Sequence, residues 1–182
     1  VSTFTTRRTV KKCTTPAEVI HECLLDIRDG LWVCGTLSKN NTTCTHVEKP
    51  LGCAVGMVGI NTGHCEWELL RNDTFQFLIK ETWENEDGYM WDDPLAKKCI
   101  EILAEASLTI SDWHRENYVD SMDLWVYDND GNTNIPSLEK IVAYMLESDP
   151  QDCVITYNDG NIDREQATAW FQLALEMAQS GR

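Results

Sequence analysis

No stretch of the 182-residue sequence approaches the ~18–20 consecutive apolar residues that a membrane-spanning helix requires. Positive charge is scarce: 15 Lys and Arg face 30 Asp and Glu, a formal net charge of −15. That balance argues against direct binding to a nucleic-acid backbone, which calls for clustered Lys and Arg. Glycine and proline are sparse, ten and five, so the composition is neither collagenous nor low-complexity. Common enzyme signatures are missing as well: there is no Gly-x-x-x-x-Gly-Lys-Ser/Thr, no Gly-x-Ser-x-Gly and no His-Glu-x-x-His. His21-Glu22-Cys23 stops short of the metalloprotease pattern, and no two cysteines have the C-x-x-C spacing of zinc ribbons and redox sites. An enzyme is therefore the last of the expected functions.

What is present is a globular composition, 42% hydrophobic and 25% charged. The length suits one domain that buries roughly 70% of its unfolded surface. Charge is uneven along it. Residues 1–12 hold Arg7, Arg8, Lys11 and Lys12 with no acid, which leaves 11 bases against 30 acids, a net of −19, in the remainder. Those twelve residues are polar and Thr-rich and lack the apolar stretch of a secretory signal. The expectation is a flexible basic N-terminal tail over 1–12 and a single acidic helical domain over 13–182.

The eight cysteines are Cys13, Cys23, Cys34, Cys44, Cys53, Cys65, Cys99 and Cys153. Their even number, and Asn-x-Ser/Thr sequons at Asn40, Asn41 and Asn72, invite a disulfide framework. Against that, the chain far exceeds the short domains that need staples, and Cys23 and Cys99 fall on apolar helix stripes. Reduced thiols in a cytoplasmic protein are the expected state. Cys44-Thr45-His46 with Cys53 and His64-Cys65 matches none of the usual zinc spacings. His21 and His114 read as surface or boundary residues of helices.

Periodicity predicts a mainly α fold, a compact domain of about five or six helices with a minor β component. Thr15, Pro16 and Glu18 mark a helix start with a capping box, Val19, Ile20, Cys23, Leu24 and Ile27 form its stripe, and Gly30 ends it. Residues 38–49 read as a loop. Residues 51–60, small and apolar with Gly52, Gly56 and Gly59, read as a helix whose glycines serve close packing. Residues 75–83 alternate and suggest a strand. Asp93-Pro94 opens a long helix that continues, with a possible break, to about Tyr118. Pro136 opens another, which Ser148-Asp149-Pro150 stops; residues 154–157 suggest a short strand. Asp163 with Gln166 caps the last helix, whose stripe is Ala167, Trp170, Phe171, Ala174 and Met177. The tetrapeptide Asn129-Asp130-Gly131-Asn132 recurs as Asn158-Asp159-Gly160-Asn161, which is ordinary turn chemistry.

Three short stretches carry a resemblance: Gly30-Leu31-Trp32-Val33-Cys34-Gly35, Cys53-Ala54-Val55-Gly56-Met57, and Tyr157-Asn158-Asp159 before the capped C-terminal helix. In this order they resemble an uncharacterised domain family of actinobacterial and phage proteins, over about two-thirds of the chain. The sequence departs from that pattern in having Tyr157 in place of Trp and an acidic insertion around 66–93. The resemblance implies a small, mostly helical bacterial or phage protein, and no activity.

Two segments offer chemistry. Residues 128–139 can be numbered as an EF-hand loop with Asp128, Asp130, Asn132 and Glu139 as weak calcium candidates. Thr133 stands where the loop's glycine belongs and Pro136 is foreign to it, so a polar turn before a helix is the preferred reading of the segment. The second segment interleaves Glu81, Glu84, Glu86, Asp87, Asp92 and Asp93 with Trp83, Tyr89, Met90 and Trp91. Acids around aromatics suit a surface for a basic partner, and Glu81, Trp83, Glu84, Glu86, Asp87, Trp91, Asp92 and Asp93 are the expected contact residues. Trp83 and Trp91 equally suit capping the core. The leading expectation is a non-enzymatic, acidic binding protein, phage-related, that engages a basic or nucleic-acid-binding protein and uses no cofactor. A calcium-binding EF-hand-like module comes second, and a virion or other structural component third.

Overall fold

The computed structural model describes residues 8–41, 47–70, 74–79, 89–121, 126–127, 133–134 and 137–181. Among them the order of elements is β1 (Arg8–Thr9), α1 (Pro16–Arg28), β2 (Ser38–Lys39), β3 (Val47–Glu48), β4 (Leu51–Gly52), α2 (Ala54–Asn61), β5 (Cys65–Leu70), β6 (Thr74–Ile79), α3 (Pro94–Ile110), α4 (Asp112–Ser121), β7 (Val126–Tyr127), β8 (Thr133–Asn134), α5 (Leu138–Ser148), α6 (Pro150–Asn158) and α7 (Arg164–Gln179). The fold is mainly helical with a minor β component, as the periodicity indicates. The strands form four separate pairs: β1 with β3 in parallel, and β2–β4, β5–β6 and β7–β8 antiparallel.

α3 is the hub and packs against each of the other six helices. Its buried residues, from Ala96 through Cys99, Ile102 and Leu103 to Leu108, cover more than one face, as a helix surrounded by others requires. α7 lies on it through Trp170, whose indole N–H donates to the Leu103 carbonyl at 2.8 Å, so the buried ring leaves no orphan donor. α1 closes in a full Schellman motif. Gly30 takes φ +80°, its N–H bonds Ile27, and the Leu31 N–H reaches back to Asp26 at 2.9 Å. Leu31 is thereby turned into the interior.

α2 is buried along its whole length. The expected reason for its glycines holds at Gly59: a Cβ there would run into the indole ring of Trp91, which lies across the helix at that point.

One expectation is corrected and two are made specific. Residues 154–157 are helical, inside α6, because Asp149 accepts the Asp152 N–H at 3.1 Å and Pro150 takes the first helical position. The Ser148-Asp149-Pro150 stop is also a start. Ser111 breaks the long helix: its extended backbone ends α3 and its hydroxyl accepts the His114 N–H at 3.0 Å, beginning α4. These two events raise the helix count above the expected five or six. Thirdly, the strand expected over 75–83 is present as Thr74–Ile79, residues 80–83 lying outside the described residues, and its partner Cys65–Leu70 pairs from Cys65↔Ile79 to Leu70↔Thr74. Residues 1–7 of the expected flexible tail lie outside the described residues, but from Arg8 the chain is docked: β1 pairs with β3, and Cys13 is buried.

Replacing Gly59 by Ala is expected to lower stability by about 1–3 kcal/mol in chemical denaturation, since the packed indole cannot retreat without strain. Combined with Trp91→Leu, the two costs should be clearly less than additive. Full additivity would show that Gly59 and Trp91 do not share that space.

Candidate functional site

α1 carries Glu22 and Asp26 in its core stripe, and Asp29 follows as its C-cap. Lys49 enters from the β3–β4 turn and is fully buried. Its ammonium has three donors and three oxygens meet them: Glu22 Oε2 at 3.1 Å, Asp26 Oδ1 at 3.1 Å and Asn61 Oδ1 at 2.9 Å. The Asn61 amide nitrogen donates onward to Asp26 Oδ2 and to the Met57 carbonyl, both at 2.9 Å. From the other side the Arg8 guanidinium donates to Asp29 Oδ2 at 2.8 Å, Asp26 Oδ1 at 2.8 Å and Glu22 Oε2 at 3.2 Å. Burial alone would raise the Asp29 carboxyl; the hydrogen bonds from Arg8 and Arg28 outweigh it and hold the group below its usual range. A buried ion costs several kcal/mol unless paired and hydrogen-bonded, and here each charge is met.

A second polar node gathers the three stretches that carry the family resemblance. Asn158, the last residue of α6, is buried. Its Oδ1 accepts the Trp32 indole N–H at 2.7 Å and the Ala54 N–H at 3.0 Å, and its Nδ2 donates to the Val33 carbonyl at 3.2 Å. The Cys34 thiol donates to the Asn158 carbonyl at 3.2 Å, and the Asp159 carboxylate accepts the Gly35 N–H at 2.9 Å. Cys53 caps α2 through its sulfur, which accepts the Gly56 N–H. Segment 31–35, the start of α2 and the end of α6 are thus tied by one side chain.

A thiol and an imidazole meet where α4 and α6 approach α3. His114 Nε2 lies 3.2 Å from Cys153 Sγ, and Ser107 Oγ lies 3.7 Å from the same sulfur; all three are buried. His114 is therefore a core residue, not the expected surface or boundary one. Burial pushes the Cys153 thiol up to about 12 and the His114 imidazolium down to about 4. A thiolate–imidazolium nucleophile needs the opposite shifts. The contact is a hydrogen bond between neutral groups, sealed by the Tyr157 ring 5.2 Å from the imidazole.

Of the expected partner-binding residues, Glu81, Trp83, Glu84, Glu86 and Asp87 lie outside the described residues. Trp91 is 4% exposed and belongs to the core, packed on Gly59 and stacked on His64 with ring centroids 5.1 Å apart. The expected role of this tryptophan as a surface contact is corrected accordingly. Asp92 is exposed and takes the Lys97 ammonium at 2.8 Å. Asp93 caps α3, with Oδ1 on the Leu95 N–H at 3.0 Å and Oδ2 on His64 Nε2 at 2.9 Å. Of the calcium candidates, Asp128, Asp130 and Asn132 lie outside the described residues, and Glu139 is exposed in the first turn of α5. The segment entering the loop is a strand, with Tyr127 opposite Thr133, where an EF-hand has a helix.

Cys13, Cys23, Cys34, Cys53, Cys99 and Cys153 are free thiols, in line with the expected reduced state at these six positions. Among the described residues no helix is long and apolar enough to cross a membrane. A depression of about 580 Å³ runs along the outer side of α7, lined by Arg164, Glu165, Thr168, Ala169 and Gln172. It is open to solvent, unlike the enclosing clefts that bury most of a small ligand.

In comparison with known proteins, no family model, curated protein or solved structure matches the chain.

Lys49, Asn61 and His114 fall in no motif, and Asn158 falls only in a turn tetrapeptide and in the last stretch of the resemblance. For the ion cluster a signal existed: Glu22 and Asp26 occupy positions in the run 19, 22, 23, 26, 27, which is core spacing. Acids there demand a buried cation.

Lys49→Met should cost about 3–5 kcal/mol, because it strands Glu22 and Asp26 without their ammonium; a loss below 1 kcal/mol in urea unfolding would mean the acids escape to water. His114 predicts a pH effect of definite sign. Its folded value lies near 4, against 6.5 when unfolded, so below pH 6.5 the unfolded state gains a proton that the folded state refuses. Stability is whole above about 6.5 and falls toward pH 4, by on the order of 3 kcal/mol. In His114→Asn, unfolding curves between pH 6.5 and 5 should lose this slope; an unchanged slope would assign it to other groups.

Proposed function

We propose that the chain is a non-enzymatic, acidic binding protein that engages a basic partner protein. The observation that carries this reading is where the charge goes. The interior cluster takes in three acids, Glu22, Asp26 and Asp29, and two bases, Arg8 and Lys49. The rest of the chain keeps 27 acids against 13 bases, so burial of charge hardly relieves the surplus. A surface of one sign speeds encounter with a partner of the other and repels like-charged competitors. The buried, neutral state of Cys153 and His114 favours binding over nucleophilic chemistry. The phage relation rests on the resemblance of stretches 30–35, 53–57 and 157–159, and Glu81, Glu84, Glu86 and Asp87 remain proposed contact acids.

The test is affinity capture from a bacterial lysate in steps of rising salt, with captured proteins identified by mass spectrometry. Basic proteins released by salt are expected, and the triple reversal Glu84→Lys, Glu86→Lys, Asp87→Lys should slow their association and flatten its salt dependence. Melting temperature should hardly change, since exposed charges contribute little to stability. Capture dominated by acidic proteins, or unaffected by salt and by the reversal, would sink the reading.

A further inference from the structure

Trp113 is 65% exposed, whereas Trp91 and Trp170 are 4% and 0% exposed. α4 turns His114 into the core and leaves Trp113 in water. Burial favours the reverse arrangement, because an indole offers a large apolar surface and an imidazole must be stripped of its hydration. Ile110, three residues earlier at the corner where α3 ends, is also exposed at 39%.

Acids outnumber bases around Trp113, two to one, and the one base is paired with Asp112. Asp112 and Glu116 are exposed on either side of Trp113. Arg115, the only Lys or Arg in α4, is turned back onto the helix corner, donating to the Leu108 carbonyl at 3.3 Å and to Asp112 at 2.5 Å. An exposed indole rimmed by carboxylates fits one kind of partner group: a guanidinium or ammonium that lies on the ring face while its remaining donors reach the acids.

We propose that exposed Trp113, in the same stretch as exposed Ile110, Asp112 and Glu116, anchors a docking surface for an Arg- or Lys-bearing segment of a partner protein. The assignment rests on the acidic-binder reading and adds to it a place and a contact. Arg suits the site better than Lys, since its planar group stacks on the indole and still presents its edge to a carboxylate.

The experiment is fluorescence anisotropy with labelled deca-arginine, and labelled deca-glutamate as the counterpart, across a range of salt. Trp113→Ala should weaken deca-arginine binding at least about tenfold, the loss that marks a hot spot of this residue type. Trp113→Phe should keep most of the affinity, as a ring face remains. Glu116→Lys should weaken binding and flatten its salt dependence more than Glu165→Lys, a reversal of an exposed acid on α7. Circular dichroism and melting temperature should match the wild type in all four variants. If deca-arginine binds in a salt-dependent way but Trp113→Ala and Glu116→Lys bind as tightly as wild type, the docking surface is overturned and the acidic-binder reading stands. If the wild type fails to prefer deca-arginine over deca-glutamate, both fall. If Trp113→Ala melts early while Trp113→Phe and Glu116→Lys keep full affinity, the indole is structural and the docking surface is again overturned.

Discussion

A short helix buried on every side is the constraint around which the other elements are arranged. α2 has eight residues, two of them glycine, and no face toward water. Such a helix has little stability of its own, because nucleation is costly and glycine adds to the cost. Its ends also carry backbone groups that burial leaves without water. The fold answers with one asparagine at each end. Asn158 accepts the Ala54 N–H at the start, and Asn61, itself the last residue of α2, joins Lys49 and Asp26 at the other. Each asparagine then recruits a different part of the chain: Asn158 brings segment 31–35 and the end of α6, Asn61 brings α1 and the β3–β4 turn. The long-range order of the molecule follows from satisfying one small helix.

The ion cluster extends that logic to the N-terminal strand. Arg8 is separated from its acids by 14 to 21 residues, and the β1–β3 pairing carries it to them. A hydrophobic replacement of the whole group would be close to neutral in energy, but removal of any one member leaves a charge without its partner. The cluster therefore specifies where β1 and the β3–β4 turn must lie more than it adds to stability. It takes up nearly equal numbers of acids and bases, which is why the surface inherits the acidic surplus almost intact.

Helix starts were legible wherever a capping side chain precedes proline. Thr15-Pro16 and Asp93-Pro94 begin α1 and α3 as expected, and Asp163 with Gln166 forms a full capping box on α7. Asp149-Pro150 is the same signal, but the β-branched run Val154-Ile155-Thr156 spoke for a strand, and local propensity lost to the cap and to packing against α3. The repeated Asn-Asp-Gly-Asn was read as turn chemistry in both copies. At 158–161 that is half right: Asp159 and Gly160 do end α6, with Asn161 at φ 62°, but Asn158 is buried and bonded to residues 104 to 126 positions away. Nothing local marks it, because its partners are backbone groups and an indole that only the tertiary fold delivers.

The two tryptophans of acidic context show why local reading does not separate a core indole from a surface one. Trp91 stands in Met90-Trp91-Asp92-Asp93 and Trp113 in Ser111-Asp112-Trp113-His114, and charge density alone gives no reason to separate them. What separates them is space elsewhere in the chain. Gly59 leaves α2 open at one point, the Trp91 ring fills that opening, and His64 stacks on its other side. Trp113 has no such vacancy to enter, because the inward position on α4 is taken by His114 and its hydrogen bond to Cys153. Whether an aromatic among acids becomes core or surface is decided by a missing Cβ on a different helix. The acids near Trp91 follow from this: Asp93 is used up as the cap of α3 and the partner of His64, while Asp112 and Glu116 stay at the surface in the same stretch as an indole that is 65% exposed.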